Sequence, residues 1–458
     1  MSLLYFAVRS LPRQVGGLWC MGLLLLCSLG LLVSSCQQRG SAARSVAPAP
    51  VVQPQVLQAP SQAAVVAPPV APQPQPVPEI RGEPILDVLL ARGSRQWLTL
   101  ERRGSIDGRR IGPGRVLVEE RNGQIVIAAL GLQRAYEMHI QWSGSGATFS
   151  IEGDNRRTEY GGDLVIKRLD DGLAVIERIG IEDFLPGVIE REMGGSWPLE
   201  ALKAQAVAAR SYITSQYLRH HQRPWHVAAA ERVDVAYAGY LPQMHVHLRT
   251  ALRQTRGDIL LYQGLPLTAW FHSCSGGRTA AKAEVFADRM AADGVTDPGP
   301  AMPSVDDPWA RRGAQGLRRP TVYEWQWSMA GDALSWRLRQ NAQAQGQQLS
   351  LGNIQRIEVR HRHASGRVGE LAVHHTGPER IWRVDAARFR LLLGSHDLRS
   401  TLWTSLQHQG NQITIHGKGF GHGVGLSQIS AWAMAQEGIL AGDILRHFYP
   451  GARLARRW

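Results

Sequence analysis

The clearest hydrophobic pattern in the chain is a helical one that begins near residue 199. Apolar residues recur there every three or four positions, at Leu199, Leu202, Ala206, Ala209 and Ile213. Small residues fill the positions between them, at Ala201, Ala204 and Ala208. An apolar stripe next to a row of alanines predicts a largely buried helix that other elements approach closely on more than one side.

The sequence before this helix predicts how it begins. Ser196 is a suitable N-cap, and Pro198 fits the first turn, where a missing N–H costs nothing. We therefore expect the helix to begin near Trp197, with the carboxylate of Glu192 just ahead of it at its positive end.

A different pattern covers residues 84–160 and continues to about residue 181. Short alternating or β-branched runs are separated by Gly, Asn and Asp, and read PILDVLL, QWLTLE, RVLVEE, QIVIAAL, AYEMHIQW, TFSIE and LAVIERI. Such runs predict strands of an antiparallel sheet or a small barrel. The expected fold class is therefore mixed α/β (α+β), with a β-rich region at 84–160 followed by a domain at 161–458.

The C-terminal part of that domain shows a strand, a glycine-rich loop and a helix. An alternating run, NQITIH, precedes five glycines at every second position from Gly417 to Gly425, and a helix is expected to begin near Ser427. Residues 305–350 are basic and mostly polar, and contain Trp325 and Trp327. We expect this segment to be an insertion or an exposed subdomain.

The first residues of the chain resemble an export signal. Arg9 and Arg13 precede an apolar run from residue 18 to 33, which ends in Val-Ser-Ser before Cys36. A transmembrane anchor is the alternative, but the run has about 16 residues against roughly 20 needed to span a bilayer. We predict a lipoprotein signal peptide at 1–35 and a lipidated Cys36 that holds an exported protein at the membrane.

Residues 36–80 are rich in Pro, Ala, Val and Gln and show no periodicity. This composition predicts a disordered, extended tether. Of the 4 cysteines, Cys20 and Cys27 would leave with the signal peptide. Because Cys36 would carry lipid, Cys274 is the remaining thiol and no internal disulfide is expected.

Charge narrows the choice of partner. The formal net charge is +13, which favours an anionic partner, although scattered solubilising charge explains it equally well. Export excludes nucleic acid as a partner. Glycan strands that carry lactyl carboxylates, or anionic lipid headgroups, suit a lipid-anchored protein of the cell envelope.

Three ordered sequence blocks carry a family resemblance. They read EDFLPGVIEREMGGSWPLEALKAQAVAAR from residue 182, FHSCSGGRT from residue 271, and GKGFGHGVGLSQISAWAMA from residue 417 followed by ILRHFYPG. Together they closely resemble the SpoIID/LytB family, the stage II sporulation protein D and amidase-enhancer proteins of bacterial cell walls. The resemblance extends over roughly residues 160 to 455 and implies a role on peptidoglycan.

The resemblance implies a lytic transglycosylase that cleaves glycan strands stripped of their stem peptides, with Glu192 as the catalytic acid. Such an enzyme needs no second carboxylate, because the 6-hydroxyl of the muramic acid attacks its own anomeric carbon. By the same motif Lys203 and Arg210 would orient the substrate or the catalytic loop. The alternative is a glycan-binding protein that enhances a separate N-acetylmuramoyl-L-alanine amidase.

Other interpretations of these acids stay open. In a purely structural interpretation, Glu192 compensates a helix dipole or pairs with Arg210. Glu190 and Glu182 are nearby competitors for the catalytic role. Glu200, inside the helix, is expected to cap the helix or to pair with Lys203.

The glycine-rich block does not fit a nucleotide site, because it lacks both GK[ST] and G-x-G-x-x-G spacing. Its glycines either let the backbone approach glycan closely or allow tight internal packing. In the first case His422, Ser427 and Gln428 are candidates for hydrogen bonds to the substrate, and no cofactor is required.

His272 and Cys274 stand two apart in an expected strand, with His245 and His247 elsewhere. A Cys-His nucleophile and a zinc site are two functional hypotheses. The relatives commonly carry Ser or Thr in place of Cys274, so we favour an inert buried thiol and predict no metal. His272 is retained as a candidate substrate-binding residue.

Overall fold

The computed structural model describes most of the chain from residue 80 to its end. The described ranges are 80–142, 146–153, 157–229, 234–286 and 302–458. The predicted signal peptide, Cys36 and the tether lie outside them. The predicted mixed α/β class is confirmed. Within the described ranges, no helix is both long and apolar enough to cross a membrane.

Twelve strands precede the first α-helix of the described chain. They are β1 (Ile85–Gly93), β2 (Arg95–Leu100), β3 (Gly104–Ile106), β4 (Arg109–Ile111), β5 (Gly114–Arg121), β6 (Gln124–Ile127), β7 (Leu132–Arg134), β8 (Glu137–Trp142), β9 (Phe149–Ile151), β10 (Glu159–Tyr160), β11 (Asp163–Leu169) and β12 (Gly172–Gly180). A single 3₁₀ turn, Ala128–Leu130, lies between β6 and β7. All seven runs that predicted strands form them, at β1, β2, β5, β6, β8, β9 and β12.

These strands form two sheets that share one apolar core. One sheet has the order β10-β9-β2-β5-β6-β7, and the other contains β1-β12-β11-β8-β3-β4. Leu98, Val118, Ile140 and Ile166 are among the fully buried residues between them. The central strand β12 is buried on both faces, which explains its nearly continuous apolar run. The short strands β3, β4, β7 and β10 gave no recognisable pattern.

The elements that follow β12 position the first sequence block. They are α1 (Ile181–Glu192), α2 (Leu199–Arg219), β13 (Val227–Ala228), α3 (Val246–Gln254), β14 (Asp258–Tyr262), β15 (Leu265–Pro266), β16 (Phe271–His272) and α4 (Lys282–Val285). Strand β13 adds to the edge of the larger sheet by parallel pairing with β1.

Helix α2 lies between two apolar cores, as its pattern predicts. The stripe residues Leu202, Ala206, Ala209 and Ile213 belong to the core shared with α1 and α3. The alanine row, Ala201, Ala204 and Ala208, packs into a second core with the C-terminal elements. Because alanine removes little space, a second layer can approach the helix backbone from that side.

The predicted start of α2 is wrong by about two residues. The helix begins at Leu199, with Pro198 at the N-cap position in an extended conformation (ψ 140°) and no side chain capping it. Ser196 and Trp197 instead belong to a turn in which the N–H of Trp197 faces the carbonyl of Gly194. Ser196 therefore does not cap the helix.

The remaining elements extend to the end of the chain. They are α5 (Trp309–Gly316), α6 (Pro320–Tyr323), β17 (Glu324–Ala330), α7 (Gly331–Ala344), β18 (Ile354–Arg362), β19 (Val368–His375), β20 (Ile381–Asp385), α8 (Ala386–Leu393), β21 (Trp403–Gln409), β22 (Gln412–Lys418), β23 (Leu426–Ser427), α9 (Gln428–Gln436), α10 (Ala441–Phe448) and β24 (Arg453–Arg456). The expected strand, glycine loop and helix correspond to β22, residues 419–425 and α9.

The segment 305–350 contributes to a third apolar core. Strand β17 pairs along its whole length with β22 in antiparallel register. Trp325 and Trp327 are buried in that core with residues of β19, α7 and α8. Because β22 leads directly into the glycine loop, this packing fixes the entry point of the loop.

Candidate functional site

Glu192 is the last residue of α1 and is half-buried. Its carboxylate therefore lies at the C-terminal end of its own helix, which the sequence did not predict. Its Oε1 accepts a hydrogen bond from the backbone N–H of Ala236 at 3.4 Å. Its Oε2 accepts one from Nε2 of Gln428 at 3.1 Å. The contact with Gln428 joins the first sequence block to the third.

Gln428 is the first residue of α9 and is buried. It follows Ser427, which is fully buried in strand β23. That strand pairs in parallel with β16, so that Ser427 lies opposite His272. The three sequence blocks therefore meet at one place. There the paired strands β16 and β23 position the start of α9 next to the carboxylate of Glu192.

A buried network of hydroxyl groups fixes the start of α9. Oδ2 of Asp307 accepts hydrogen bonds from Oγ of Ser275 and Oγ of Ser430, each at 2.6 Å. Oγ of Ser430 also lies 2.7 Å from Oγ of Ser427. Burial raises the pKa of Asp307, although these hydroxyl groups oppose the shift. The network ties the second sequence block to the helix that carries Gln428.

The glycine-rich loop is packed against protein atoms. Gly425 has a φ of +71°, and a Cβ there would lie 2.0 Å from the carbonyl oxygen of Trp270. Gly421 has a φ of +111°, and its Cβ would lie 2.8 Å from the Cβ of His272. Of the two interpretations of these glycines, the structure favours tight internal packing.

His422 and His272 form hydrogen bonds that hold this loop in place. The ring of His422 lies 2.9 Å from the carbonyl of Phe271 through Nε2, and its Nδ1 accepts from the N–H of Val424 at 3.1 Å. Nδ1 of His272 lies 3.1 Å from the carbonyl of Val424. Burial first, then the charges of His422 and Arg367, hold the pKa of His272 well below its usual range, so this ring is neutral.

Cys274 lies in the same interior. It is buried, and its backbone exchanges two hydrogen bonds with Phe420 of the glycine loop. Burial raises the pKa of its thiol to about 12, so almost no thiolate forms at neutral pH. Among the described residues, no group of three or more His, Cys, Asp or Glu is placed to hold a metal ion.

We predict that Cys274→Ser leaves the fold and the activity nearly unchanged. The serine hydroxyl is similar in size, and the thiol it replaces cannot ionise at neutral pH. The check is thermal unfolding together with the activity assay described below. Loss of activity in a folded Cys274→Ser protein would instead support a cysteine nucleophile, and loss of bound zinc would support a metal site.

Lys203 is placed on α2, where it pairs with an acid of the same helix. Its Nζ lies 2.6 Å from Oε1 of Glu200, as expected from their spacing. Oε2 of Glu200 accepts a hydrogen bond from the N–H of Ala441 at 2.9 Å. Glu200 therefore also satisfies an N–H at the start of α10, and the pair links two helices.

Arg210 is fully buried and contacts Glu182 through two nitrogens. Its Nε lies 3.0 Å from Oε1 and its Nη2 lies 2.8 Å from Oε2 of Glu182. Glu182 also accepts from the N–H of Gly257 and from Nε1 of Trp458. Burial alone would raise the pKa of Glu182, but Arg210 and the other donors lower it below its usual value.

The two acids that compete with Glu192 thus have structural partners. Glu182 is the partner of Arg210, and Oε2 of Glu190 accepts from the N–H of Gly195 at 2.9 Å. Arg210 is consequently not the partner of Glu192. Of the three carboxylates, Glu192 is the one that meets the start of α9.

Sequence reasoning missed three contributors to this site. Ala236 supplies its backbone N–H to Glu192, and Asp234 lies two residues earlier in the same segment. Asp234 itself is held by the hydroxyl of Tyr212 at 3.3 Å and the N–H of Ala228 at 2.8 Å. Asp307, the third, stands in an Asp-Asp-Pro sequence that gave no sign of its place under Ser275. The only available signal was the serine-rich second block.

This arrangement defines a mixed α/β protein in which a carboxylate that ends one buried helix meets an amide that begins another. Comparison with known proteins shows which families it resembles. Residues 169–262 match the SpoIID family, described as stage II sporulation protein, and residues 311–425 match a domain of unknown function, DUF8618. The SpoIID match confirms the resemblance carried by the sequence blocks.

Individual relatives align with about 60% of the chain. The amidase enhancer of Bacillus subtilis is 30% identical over 294 residues, 59% of this chain and 40% of that protein. An uncharacterised protein of Brachyspira hyodysenteriae is 28% identical over 294 residues, 64% of this chain and 71% of the relative. The stage II sporulation protein D of Bacillus amyloliquefaciens is 28% identical over 295 residues, 61% of this chain and 75% of the relative.

Proposed function

We propose that this protein acts on the cell wall as a lytic transglycosylase that cleaves glycan strands freed of stem peptides. The observation that carries the proposal is the contact of Glu192 with Gln428 and Ala236. It gives the carboxylate a fixed orientation, while Glu192 stays partly exposed to solvent. The similarity to SpoIID proteins supports a cell-wall substrate.

The chemistry requires one acid in a fixed position. Glu192 donates a proton to the bridging oxygen as the bond from that oxygen to the anomeric carbon breaks. The 6-hydroxyl oxygen of the same muramic acid then bonds to the anomeric carbon, and its proton returns to Glu192. No water is consumed, because the nucleophile belongs to the sugar and is held close by the ring itself.

The position of Glu192 suits a group that must be protonated before it acts. At the C-terminal end of α1 the helix dipole does not favour a negative charge. Two of its hydrogen-bond donors, the amide N–H₂ of Gln428 and the backbone N–H of Ala236, are neutral groups. In contrast, the carboxylate of Glu182 meets a guanidinium and is suited to remain ionised.

The decisive experiment is product analysis. Pure protein is incubated with amidase-treated glycan strands, and the products are weighed by mass spectrometry. Transglycosylation yields ends lighter by one water than those of hydrolysis, because it leaves 1,6-anhydro sugars. Ordinary reducing ends would indicate a hydrolase, and Asp234 would then be the first residue to test as the second carboxylate.

A second function is favoured by the name of one relative. The Bacillus subtilis protein is called an amidase enhancer, and this chain spans 40% of its length. In this alternative the protein binds glycan and stimulates a separate amidase without cleaving strands. Absence of cleavage products together with a faster partner amidase would establish the enhancer function.

We also propose that the protein is exported and held at the membrane by lipid on Cys36. The predicted result is that Cys36→Ala blocks lipidation and moves the protein to the soluble fraction. The measurement is fractionation combined with intact-mass analysis of the N-terminus. Wild-type protein recovered soluble, unmodified and with an intact N-terminus would contradict the proposal.

A further inference from the structure

A surface pocket of about 240 Å³ lies near the C-terminal end of α1, the helix that ends at Glu192. It is lined by Arg157, Thr158, Glu159, Arg191, Tyr237, Ala238 and Tyr240. Pockets for drug-sized ligands commonly measure roughly 300–1,000 Å³, so this one suits a single sugar residue.

The pocket adjoins the candidate acid through two chain connections. Arg191 directly precedes Glu192 in the last turn of α1. Tyr237 directly follows Ala236, whose N–H donates to Oε1 of Glu192. The lining therefore begins one residue from Glu192 on α1 and one residue from Ala236, its hydrogen-bond donor.

The walls of the pocket are held in place before any ligand binds. The N–H of Ala238 donates to the carbonyl of Gly187 in α1 at 3.1 Å, and the N–H of Tyr240 donates to the carbonyl of Glu159 at 2.8 Å. The ring of Tyr237 packs on Phe184 with ring centres 4.4 Å apart. Helix α1, strand β10 and the segment from residue 236 to 240 thus form a fixed frame.

The charges in this frame favour an anion. Arg157 and Arg191 are both exposed, and neither forms an ion pair within the described part of the chain. Many other arginines are paired, such as Arg178 with Asp87 and Arg456 with Asp258. Glu159 is the one acid in the lining, so the arginines leave the pocket with a net positive charge.

The other lining groups suit a sugar that carries the anion. Tyr240 adds a partly exposed aromatic side chain to the lining, and Glu159 can accept hydrogen bonds from hydroxyl or acetamido groups. Guanidinium groups bind carboxylates through two parallel hydrogen bonds. An acidic amino sugar matches this combination better than a neutral one.

We propose that the pocket binds the muramic acid next to the cleaved bond, with Arg157 and Arg191 recognising its lactyl carboxylate. This inference rests on the proposed function. In intact peptidoglycan that carboxyl group forms an amide with the stem peptide and carries no charge. The pair of arginines would therefore select strands from which the peptide has been removed.

The test measures binding, so that it does not depend on turnover. Arg157→Gln and Arg191→Gln are combined in a Glu192→Gln background, and affinity is measured for denuded glycan strands and for chitin oligosaccharides of equal length. Chitin lacks the lactyl group. We expect at least roughly tenfold weaker binding of denuded strands and unchanged binding of chitin.

A matched control keeps the net charge equal. Arg109 and Arg110 are exposed in β4 and are far from the pocket in sequence, and their double change to Gln removes the same two charges. We expect this control to bind both glycans as the parent does. Equal losses for both glycans in the pocket variant, no loss, or no binding of strands by the parent would each overturn the inference.

These experiments distinguish failure of the proposed catalytic function from failure of the proposed muramic acid subsite. If wild-type protein does not cleave strands but the pocket variant still loses affinity for them alone, the catalytic proposal is wrong and the muramic acid subsite stands. If wild-type protein cleaves strands and the pocket variant binds them normally, the subsite is wrong and catalysis stands.

Discussion

Glu192→Gln is expected to stop glycan cleavage while sparing the fold and glycan binding. A positioned general acid contributes roughly 100- to 10,000-fold in rate, and the amide has no proton that it can donate to a glycosidic oxygen. The structure explains why the variant should still fold. Its oxygen can accept from the N–H of Ala236, and the amide of Gln428 can turn to present its own oxygen to the new N–H₂. The measurement is the rate of product formation from denuded strands.

Glu190→Gln is the matched control for this change. It lies in the same last turn of α1, and the amide oxygen can still accept from the N–H of Gly195. We expect its activity to stay within about threefold of wild type, because the amide keeps that hydrogen bond. Equal losses in the two variants would show that the turn, and not the acid, matters. Full activity in Glu192→Gln would remove Glu192 from the mechanism.

The sequence predicted α2 well because its pattern reports directly on packing. Two rows of residues on one helix must meet two different surfaces, and the stripe and the alanine row do contact separate cores. The strands of the N-terminal region were recognisable for the same reason, since side chains alternate between a core and a second face. Burial of one face of a helix or strand produces a periodic pattern of apolar residues in the sequence.

Contacts between segments that are distant in the chain produce no such sequence pattern. Glu192 and Gln428 are 236 positions apart, and no spacing rule relates them. The start of α2 was misplaced because Ser196 is a good N-cap by residue type, whereas the chain uses it in a turn before Pro198. Glu192 was consequently assigned to the start of α2, although it ends a helix that carries an internal Pro186.

Of the partners of the two charged residues in α2, the sequence identified only one. Charged residues on a largely buried helix, such as Lys203 and Arg210, each need an acid or an anionic ligand. Spacing identified Glu200 as the partner of Lys203, because the two lie three residues apart on one helix. Glu182 is 28 positions from Arg210 and on another helix, so only the fold identifies that pair.

The second large prediction concerns Arg210. If the residue is structural, its removal lowers stability; if it orients substrate, its removal lowers glycan binding. Its side chain has no exposed surface and its charge is balanced by Glu182. Removing one member of a buried ion pair leaves the other charge buried without a partner and costs roughly 3–5 kcal/mol. Arg210→Met should therefore lower the free energy of unfolding by about that amount. If Arg210 instead orients substrate, the variant should keep its stability and lose glycan binding.

The control on the same helix is Lys203→Met. The side chains of Lys203 and Glu200 are both partly exposed, at 19% and 22%, so solvent screens their attraction. We expect a loss in the free energy of unfolding of at most about 1 kcal/mol. Denaturant unfolding of both variants under the same conditions gives the comparison.

The dependence on pH separates loss of the ion pair from loss of packing. In the wild type the pKa of Glu182 is lowered, so its contribution to stability is present above the unfolded-state pKa and is lost as pH falls through the folded-state pKa. Without Arg210, burial raises that pKa instead, and protonation of Glu182 then favours the folded state. The destabilisation by Arg210→Met should therefore shrink as pH is lowered from 7 toward the ordinary pKa of a glutamate, about 4.3. A penalty that stays constant over this range would show that Arg210 stabilises the protein by packing alone.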